Sequence, residues 1–314
     1  MKKIRVGTRG SLLALTQAGI VVSALRERFP DIQVETLEIK TTGDAVLDRP
    51  LTQIGSKGLF TKEIEEALIE GRIDLAVHSL KDLSAEIPGP LVLGAVTRRE
   101  DPRDCLISKK AWSLKTLPRG ATVGTGSLRR RAQVLSLRPD LKVEDLRGNL
   151  DTRIRKLLED RFDAIVAARA GLNRLEKSLP AECKSLSFKT IPRSEMLPAV
   201  GQGFLGIEIR KGDPETEQLV RILDHQASHQ TALCERAFLA ELQGGCQVPI
   251  GVWTEVKGGK LSLEGLIASI DGGKVVLDKI SGGLERGPDL GKELGKKLLG
   301  MGGKQILESI RARE

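Results

Sequence analysis

The sequence predicts an α/β protein of two lobes with mainly parallel sheets, followed by a small α+β C-terminal domain. Three observations carry that expectation. Short apolar strands alternate with helical patterns from residue 4 to residue 210, the signature of parallel sheets crossed by helices. Two stretches of the first lobe recur in the second. Beyond residue 223 the alternation stops, and Gly258-Gly259 and Gly272-Gly273 separate three strands. The expected division is 1–98 with 200–219 for lobe one, 103–195 for lobe two, and 223–314 for the C-terminal domain.

Ile4 to Gly7 reads as a buried strand, Thr8 to Ser11 as its turn, and Leu12 to Arg28 as a helix with Leu15, Ala18, Val22 and Leu25 on its apolar side. A strand follows at Val34 to Lys40. Residues 41–58, with Gly43, Asp44, Pro50, Gly55 and Gly58, read as a long loop. Thr61 to Gly71 is a helix with Thr61 as its N-cap. Ile73 to Val77 is a strand running into His78-Ser79-Leu80-Lys81-Asp82, and Leu91 to Val96 is another. Arg98 to Arg103 is charged, contains Pro102 and reads as a crossing segment. The pattern then restarts: strand Thr122 to Gly124, turn Thr125 to Ser127, helix Leu128 to Leu137, strand Lys142 to Leu146, helix Asp151 to Asp160, strand Ala164 to Ala167. Phe204 to Arg210 reads as a strand returning to lobe one. In the tail, Ser228 to Leu242, Asp289 to Leu299 and Lys304 to Arg313 are helices around strands Val252 to Val256, Leu261 to Ile270 and Val275 to Ile280.

The repeat is informative where it breaks. Val6-Gly7-Thr8-Arg9-Gly10-Ser11-Leu12 echoes Val123-Gly124-Thr125-Gly126-Ser127-Leu128, and Arg72 to Val77 echoes Arg161 to Val166. Continuing the second match sets His78, Lys81 and Asp82 against Ala167, Ala170 and Gly171. Lobe one therefore carries polar groups at a strand end, where ligands bind in open α/β sheets. The plainer alternative for Lys81 and Asp82 is a solvated surface pair.

Fifty Lys and Arg against 42 Asp and Glu give a net charge of +8, which favours anionic partners. Aromatics are 3% and Tyr is absent, so stacking platforms for single-stranded nucleic acid are lacking. No apolar run approaches the length of a membrane span. Met1-Lys2-Lys3-Ile4 leads directly into a strand without a signal peptide, so the expected location is the cytoplasm. Cys105, Cys183, Cys234 and Cys246 lack zinc spacing and read as reduced thiols.

Arginines cluster at strand-to-helix turns. Ser127 opens a helix whose first turn is Leu128-Arg129-Arg130-Arg131, where cations oppose the helix dipole unless an anion sits there. Arg147 ends a strand and Arg153 and Arg155 start the next helix; Arg9 sits at the corresponding turn of lobe one, and Lys57 lies between Gly55 and Gly58. A solvated basic face is the bland alternative. Gly244-Gly245-Cys246-Gln247-Val248-Pro249-Ile250-Gly251 places one thiol where glycines leave room for a bulky group, although a turn with a buried Cys also fits.

Together these residues resemble the porphobilinogen deaminase (hydroxymethylbilane synthase) family. The matches are Thr8-Arg9, Gly58-Leu59-Phe60, His78 to Asp82, Arg99-Glu100-Asp101-Pro102-Arg103-Asp104, Gly124-Thr125, Ser127 to Arg130, Leu146-Arg147-Gly148-Asn149, Leu197 to Gly203 and Gly244 to Gly251, in the family's order along the whole chain. The resemblance implies two lobes like those of a periplasmic binding protein. It implies a dipyrromethane cofactor joined by a thioether to Cys246. It also implies condensation of four porphobilinogen units with loss of ammonia and hydrolytic release of hydroxymethylbilane.

By similarity, Lys81, Asp82, Thr125, Ser127, Arg129 and Arg130 hold the cofactor. Arg9, Ser11, Lys57, Phe60, Arg147, Arg153, Arg174 and Gln202 face the substrate. Asp82 is the implied catalytic carboxylate: it stabilises the cationic azafulvene-like pyrrole left by ammonia and assists proton transfer. The chain departs from the family's pattern at Gln53, Gly126 and Gln243, where a lysine, a serine and a glutamate are common. The expected partner is porphobilinogen alone, with no nucleic acid, metal or membrane, and the expected state is a monomer. The competing readings are a two-lobed anion-binding or sensing protein without catalysis and, on charge alone, a nucleic-acid binder.

Overall fold

The computed structural model describes residues 3–45, 58–244 and 248–312. Lobe one begins with β1 (Lys3–Thr8), whose Ile4 and Val6 are fully buried, and α1 (Leu12–Arg28), which lays Ala18, Val21, Val22 and Leu25 on the sheet. β2 (Gln33–Glu38), α2 (Thr42–Ala45), α3 (Lys62–Ile69) and β3 (Leu75–Ser79) follow. A single 3₁₀ turn, Leu80–Asp82, leads away from β3, and β4 (Leu91–Val96) closes the sheet edge. The expected long loop contains α2, and its residues 46–57 lie outside the described residues. Thr61 does precede α3, but its side chain makes no capping bond.

After the crossing at 97–103, lobe two repeats the plan. It comprises β5 (Asp104–Ser108), β6 (Thr122–Gly124), α4 (Leu128–Leu137), β7 (Lys142–Glu144), α5 (Leu150–Leu158), β8 (Ala164–Ala168), α6 (Arg169–Leu175) and β9 (Ser187–Thr190). A second crossing then leads to β10 (Leu205–Arg210) and α7 (Pro214–Val220), back in lobe one. The strand orders are β2-β1-β3-β10-β4 and β7-β6-β8-β5-β9. In each sheet the strand that arrives from a crossing, β10 or β5, runs antiparallel between two others, and the remaining four strands share one direction. β5, β9, α6 and α7 are additions to the elements read from sequence.

The register bears out the repeat. Val6 pairs with Leu75 and Val123 with Ala164; Gly7 pairs with Ala76 and Gly124 with Ile165. Counting on from these pairs makes Lys81 and Asp82 the counterparts of Ala170 and Gly171. Likewise Leu205 pairs with Ser79 where Asp104 pairs with Ala168, so Leu205 and Asp104 correspond.

The two crossings run side by side, with Thr97 N–H donating to Leu205 O and Glu100 N–H to Gly203 O. The C-terminal domain clamps both. Its α8 (Gln226–Glu241) and the meander β11 (Ile250–Lys257), β12 (Lys260–Ala268) and β13 (Val275–Gly283) enclose a core with α9 (Gly287–Leu298) and α10 (Lys304–Arg311), centred on Phe238, Leu263, Leu294 and Ile306. From α8, buried Glu235 pairs with Arg99 of the first crossing at 2.8 Å and accepts the Gly201 N–H of the second at 2.8 Å. Arg99 also donates to Thr254 Oγ1 on β11 at 2.7 Å. A buried charge is tolerated only with such partners, so the pair fixes the crossings against the third domain.

Candidate active site

The strand ends of both lobes meet at a small crevice lined by Leu13, Gln17, Ser79 and Lys81 from lobe one, Ala168, Ala170, Gly171 and Arg174 from lobe two, and Gly201 to Phe204 of the second crossing. Gly201 has φ +74, and a Cβ there would stand 2.9 Å from Lys81 N. Only glycine lets the crossing pass this close to the Lys81-Asp82 turn.

Lys81 is half-buried, and burial pushes its ammonium down from the usual lysine range. Asp82 and Asp104 oppose that shift; Arg130 and Arg153 add to it. Arg153 donates its Nε–H to Gly148 O at 2.8 Å and is pushed down to about 10 by burial and by Arg130 and Arg147, with Asp82 opposing. Asp82 also acts on Arg9. These mutual influences place Asp82 and Lys81 of lobe one amid Arg130 and Arg153 of lobe two. Arg174, pushed down to about 10 by burial, donates to Gly203 O at 2.7 Å.

Arg9 is engaged within its own lobe. It forms an ion pair with Asp44, donates its Nε–H to Asp44 Oδ2 at 3.1 Å, and lies over the Phe60 ring at 4.3 Å. Burial lowers its proton affinity, but Asp44 and Asp82 outweigh that and hold it raised. Ser11 caps α1, accepting the Ala14 N–H at 3.3 Å. Ser127 occupies the same place before α4 without a side-chain capping bond, and its N–H donates to Thr125 Oγ1 at 3.2 Å.

The anion that the arginines at the start of α4 call for is present in part within the protein itself. Asp104, fully buried at the start of β5, accepts from Arg129 Nη1 at 2.7 Å and from Arg130 Nε and Nη2 at 3.1 and 2.9 Å. Burial alone would raise its pKa, but the two guanidinium groups carry it down to about 2. Gln202 is 1% exposed; its amide N–H groups donate to Pro102 O and to Asp104 Oδ1 at 2.6 and 3.0 Å. Arg129 also donates to Leu197 O at 2.6 Å, where Gln133 donates at 3.0 Å. Asp104 belongs to the Arg99 to Asp104 motif, yet neither it nor Asp44, Gln133 or Glu235 carries a spacing signal toward its partner, so sequence alone gives none of them a role.

Of the site residues expected from sequence, Lys81, Arg174 and Gln202 line the crevice itself. Asp82, Arg130, Arg147 and Arg153 lie near enough to act on one another or on Lys81, and Arg129 joins them through Asp104. Thr125 and Ser127 form the turn before α4, and Arg9 and Ser11 stand at the lobe-one turn with Phe60 against Arg9. Lys57 and Cys246 lie outside the described residues. The other three cysteines are buried, and burial raises Cys105 to about 11, Cys234 to about 12 and Cys183 above its usual range. As protonated thiols they make poor nucleophiles.

A dipyrromethane bears carboxylates, and the residues present fit such a group. Arg129 Nε is buried with no hydrogen-bond partner among the described residues. Lys81 makes no hydrogen bond among them either. Five cationic groups, Lys81, Arg129, Arg130, Arg147 and Arg153, surround two carboxylates, Asp82 and Asp104. The fold and site define a two-lobed α/β protein whose crevice calls for a polyanion.

Two family models match the chain: "Porphobilinogen deaminase, dipyromethane cofactor binding domain" over residues 4–218 and "Porphobilinogen deaminase, C-terminal domain" over residues 229–300. The porphobilinogen deaminase of Maridesulfovibrio salexigens is 49% identical, with 99% of each chain covered. That of Pelobacter propionicus is 48% identical over 100% of this chain and 99% of the relative. Among solved structures, the BenM effector binding domain with its effector benzoate gives a TM-score of 0.43 at 15% identity, covering 71% of this chain and 90% of that one. The chain belongs to the porphobilinogen deaminase family. That membership disfavours the non-catalytic alternative. No helix among the described residues is long and apolar enough to cross a membrane.

Proposed function

We propose that this chain condenses four porphobilinogen molecules head to tail, with release of ammonia, into hydroxymethylbilane, primed by a dipyrromethane bound through a thioether to Cys246. The observation that carries the proposal is the excess of cations around one crevice carboxylate, Asp82, in a chain of this family. Each pyrrole unit brings an acetate and a propionate, so primer and growing chain form a polyanion.

When bound, the dipyrromethane supplies the pyrrole that accepts the first substrate unit, and it stays behind at release. Lys81, Thr125, Ser127, Arg129 and Arg130 would hold its carboxylates. Arg9, Ser11, Lys57, Phe60, Arg147, Arg153, Arg174 and Gln202 are assigned to the substrate side. Asp82 has the catalytic role. Its carboxylate offsets the positive charge that develops on the substrate pyrrole as ammonia leaves. The same group takes up the proton that the attacked ring later gives up. Desolvation by the lobes strengthens each of these charge interactions.

The C-terminal domain, 223–314, is the proposed attachment domain, and the enzyme is proposed to act as a cytoplasmic monomer without nucleic acid. Intact-mass measurement tests the central claim. The purified chain should exceed its sequence mass by one dipyrrole and colour with Ehrlich's reagent, and Cys246→Ala should lose both. A wild-type chain of bare sequence mass would sink the reading.

A further inference from the structure

The two lobes are built to one plan, so lobe one serves as a control for what lobe two needs in order to fold. Aligning the helix starts at Ser11 and Ser127 sets Leu13 and Ala14 against Arg129 and Arg130. The buried glutamines Gln17 and Gln133, each six residues past the serine, confirm that alignment. The strand register sets Leu205 against Asp104. Lobe one thus fills the same three places with Leu13, Ala14 and Leu205, and folds without an ion there. All three ionic groups appear in lobe two as a unit. Buried ion pairs are weak sources of stability compared with apolar groups of similar volume, so folding gives no reason to replace the apolar set.

We propose that Asp104 is a positioning residue that acts through Arg129 and Arg130, setting which edges of their guanidinium groups remain for an anionic ligand; this rests on the function proposed above. The carboxylate occupies Nη1 of Arg129 and the Nε–Nη2 edge of Arg130. Leu197 O takes a second bond from Arg129 Nη1, and Val166 O takes one from Arg130 Nη1 at 3.0 Å. What is left unspent is defined: Arg129 Nε is buried without a partner among the described residues. Asp104 also lets two like charges stand side by side, since each guanidinium otherwise repels the other. Gln202, donating to the same carboxylate oxygen, ties this arrangement to the second crossing. The ligand served is the carboxylate-bearing dipyrrole, and the same lock orients the arginines before it arrives.

Three chains are compared by intact mass and thermal unfolding. Asp104→Glu keeps the charge but moves it by one methylene. It is expected to fold, and the fraction of purified molecules carrying the dipyrrole mass should fall at least tenfold. Full occupancy overturns the proposal. The triple variant Asp104→Leu, Arg129→Leu, Arg130→Ala copies the lobe-one set. It should unfold within a few degrees of Cys246→Ala, which lacks the adduct for an unrelated reason. An unfolded triple variant also overturns the proposal, because the three ions would then be a requirement of the fold. If Asp104→Glu itself does not fold, Asp104→Asn produced at a temperature where it is folded takes its place, read by the same tenfold criterion. A wild-type chain without the adduct would defeat the proposed function itself; equal adduct on wild type and Asp104 variants would defeat only this role.

Discussion

At the same strand ends the two lobes carry opposite chemistry. Lobe one places Lys81 and Asp82 where lobe two has Ala170 and Gly171; lobe two places Arg129, Arg130 and Asp104 where lobe one has Leu13, Ala14 and Leu205. In the function proposed above, lobe one would bring the reacting carboxylate, and lobe two the array of cations that holds charged substituents. Neither lobe is a complete site. The duplication supplies a frame whose equivalent positions were free to diverge, and the active crevice exists only where the two unlike faces meet. Even the contact is unequal: a Cβ built at Gly171 would lie 3.5 Å from Leu13 Cδ2, so the counterpart of Asp82 is an apolar wall facing lobe one.

The sharpest way to break this division of labour is to neutralise the lobe-one carboxylate. Asp82→Asn keeps shape and hydrogen bonding. Turnover should fall by roughly 10²–10⁴-fold, the range for lost acid–base participation, with the dipyrrole mass still present. Asp82→Glu should retain slow turnover. An Asn variant as fast as the Glu variant would show that the charge is not what the reaction uses.

The position of Asp82 was legible in the sequence, because it belongs to a local repeat: strand, turn and residue spacing are all contiguous, and register converts spacing into position; its catalytic role is what the family resemblance implies. The lobe-two trio was not legible. Asp104 lies 25 and 26 residues before Arg129 and Arg130, on a strand made by antiparallel pairing with β8 and β9. Read alone, Asp104-Cys105-Leu106-Ile107-Ser108 looks like the tail of the charged crossing. Long-range pairing leaves no periodic trace, so β5, and with it the partner of both arginines, stays hidden. The helix α6 is hidden for a different reason: it is short, and Gly171 in its middle weakens helical propensity, while packing against Leu13 across the crevice compensates.

Removing one arginine should disturb lobe two more than its exposed charges suggest. Arg130→Leu leaves buried Asp104 with Arg129 as its remaining cationic partner, and breaking a buried pair costs about 3–5 kcal/mol. Chemical denaturation against Cys246→Ala, which keeps the trio but lacks the adduct, isolates this cost from loss of the ligand's own stabilisation. A stability equal to that of Cys246→Ala would mean that Asp104 is compensated without Arg130.

Acid should reveal the same pair. Asp104 has its pKa lowered from 3.8 to about 2 in the folded chain. A depressed carboxylate stabilises the fold above its unfolded pKa and loses that contribution as pH falls through the folded value. Between about pH 4 and 2, wild type should therefore lose about 2 kcal/mol through this group, and Asp104→Asn should lack that part of the slope. Identical acid limbs would assign the fall to other carboxylates.

The smallest expected effect separates two serines at equivalent turns. The lobe-one turn, Thr8-Arg9-Gly10-Ser11, is one residue longer than Thr125-Gly126-Ser127. In the longer turn Ser11 Oγ reaches back to the Ala14 N–H and caps α1. In the shorter one the Ser127 side chain makes no such bond, at the helix start that carries Arg129 and Arg130. A capping hydroxyl is worth about 1 kcal/mol, so Ser11→Ala should lower Tm by about 2 °C in a chain of this size. Ser127→Ala has no cap to lose. Its Tm, compared with both chains held in the adduct-free Cys246→Ala background, should match that of the parent, while in the Cys246 chain the fraction carrying the dipyrrole should drop a few-fold. If Ser127→Ala destabilised the adduct-free chain as much as Ser11→Ala does, the two turns would be doing the same work, and the idea that lobe two left its helix start open for an anion would lose its plainest support.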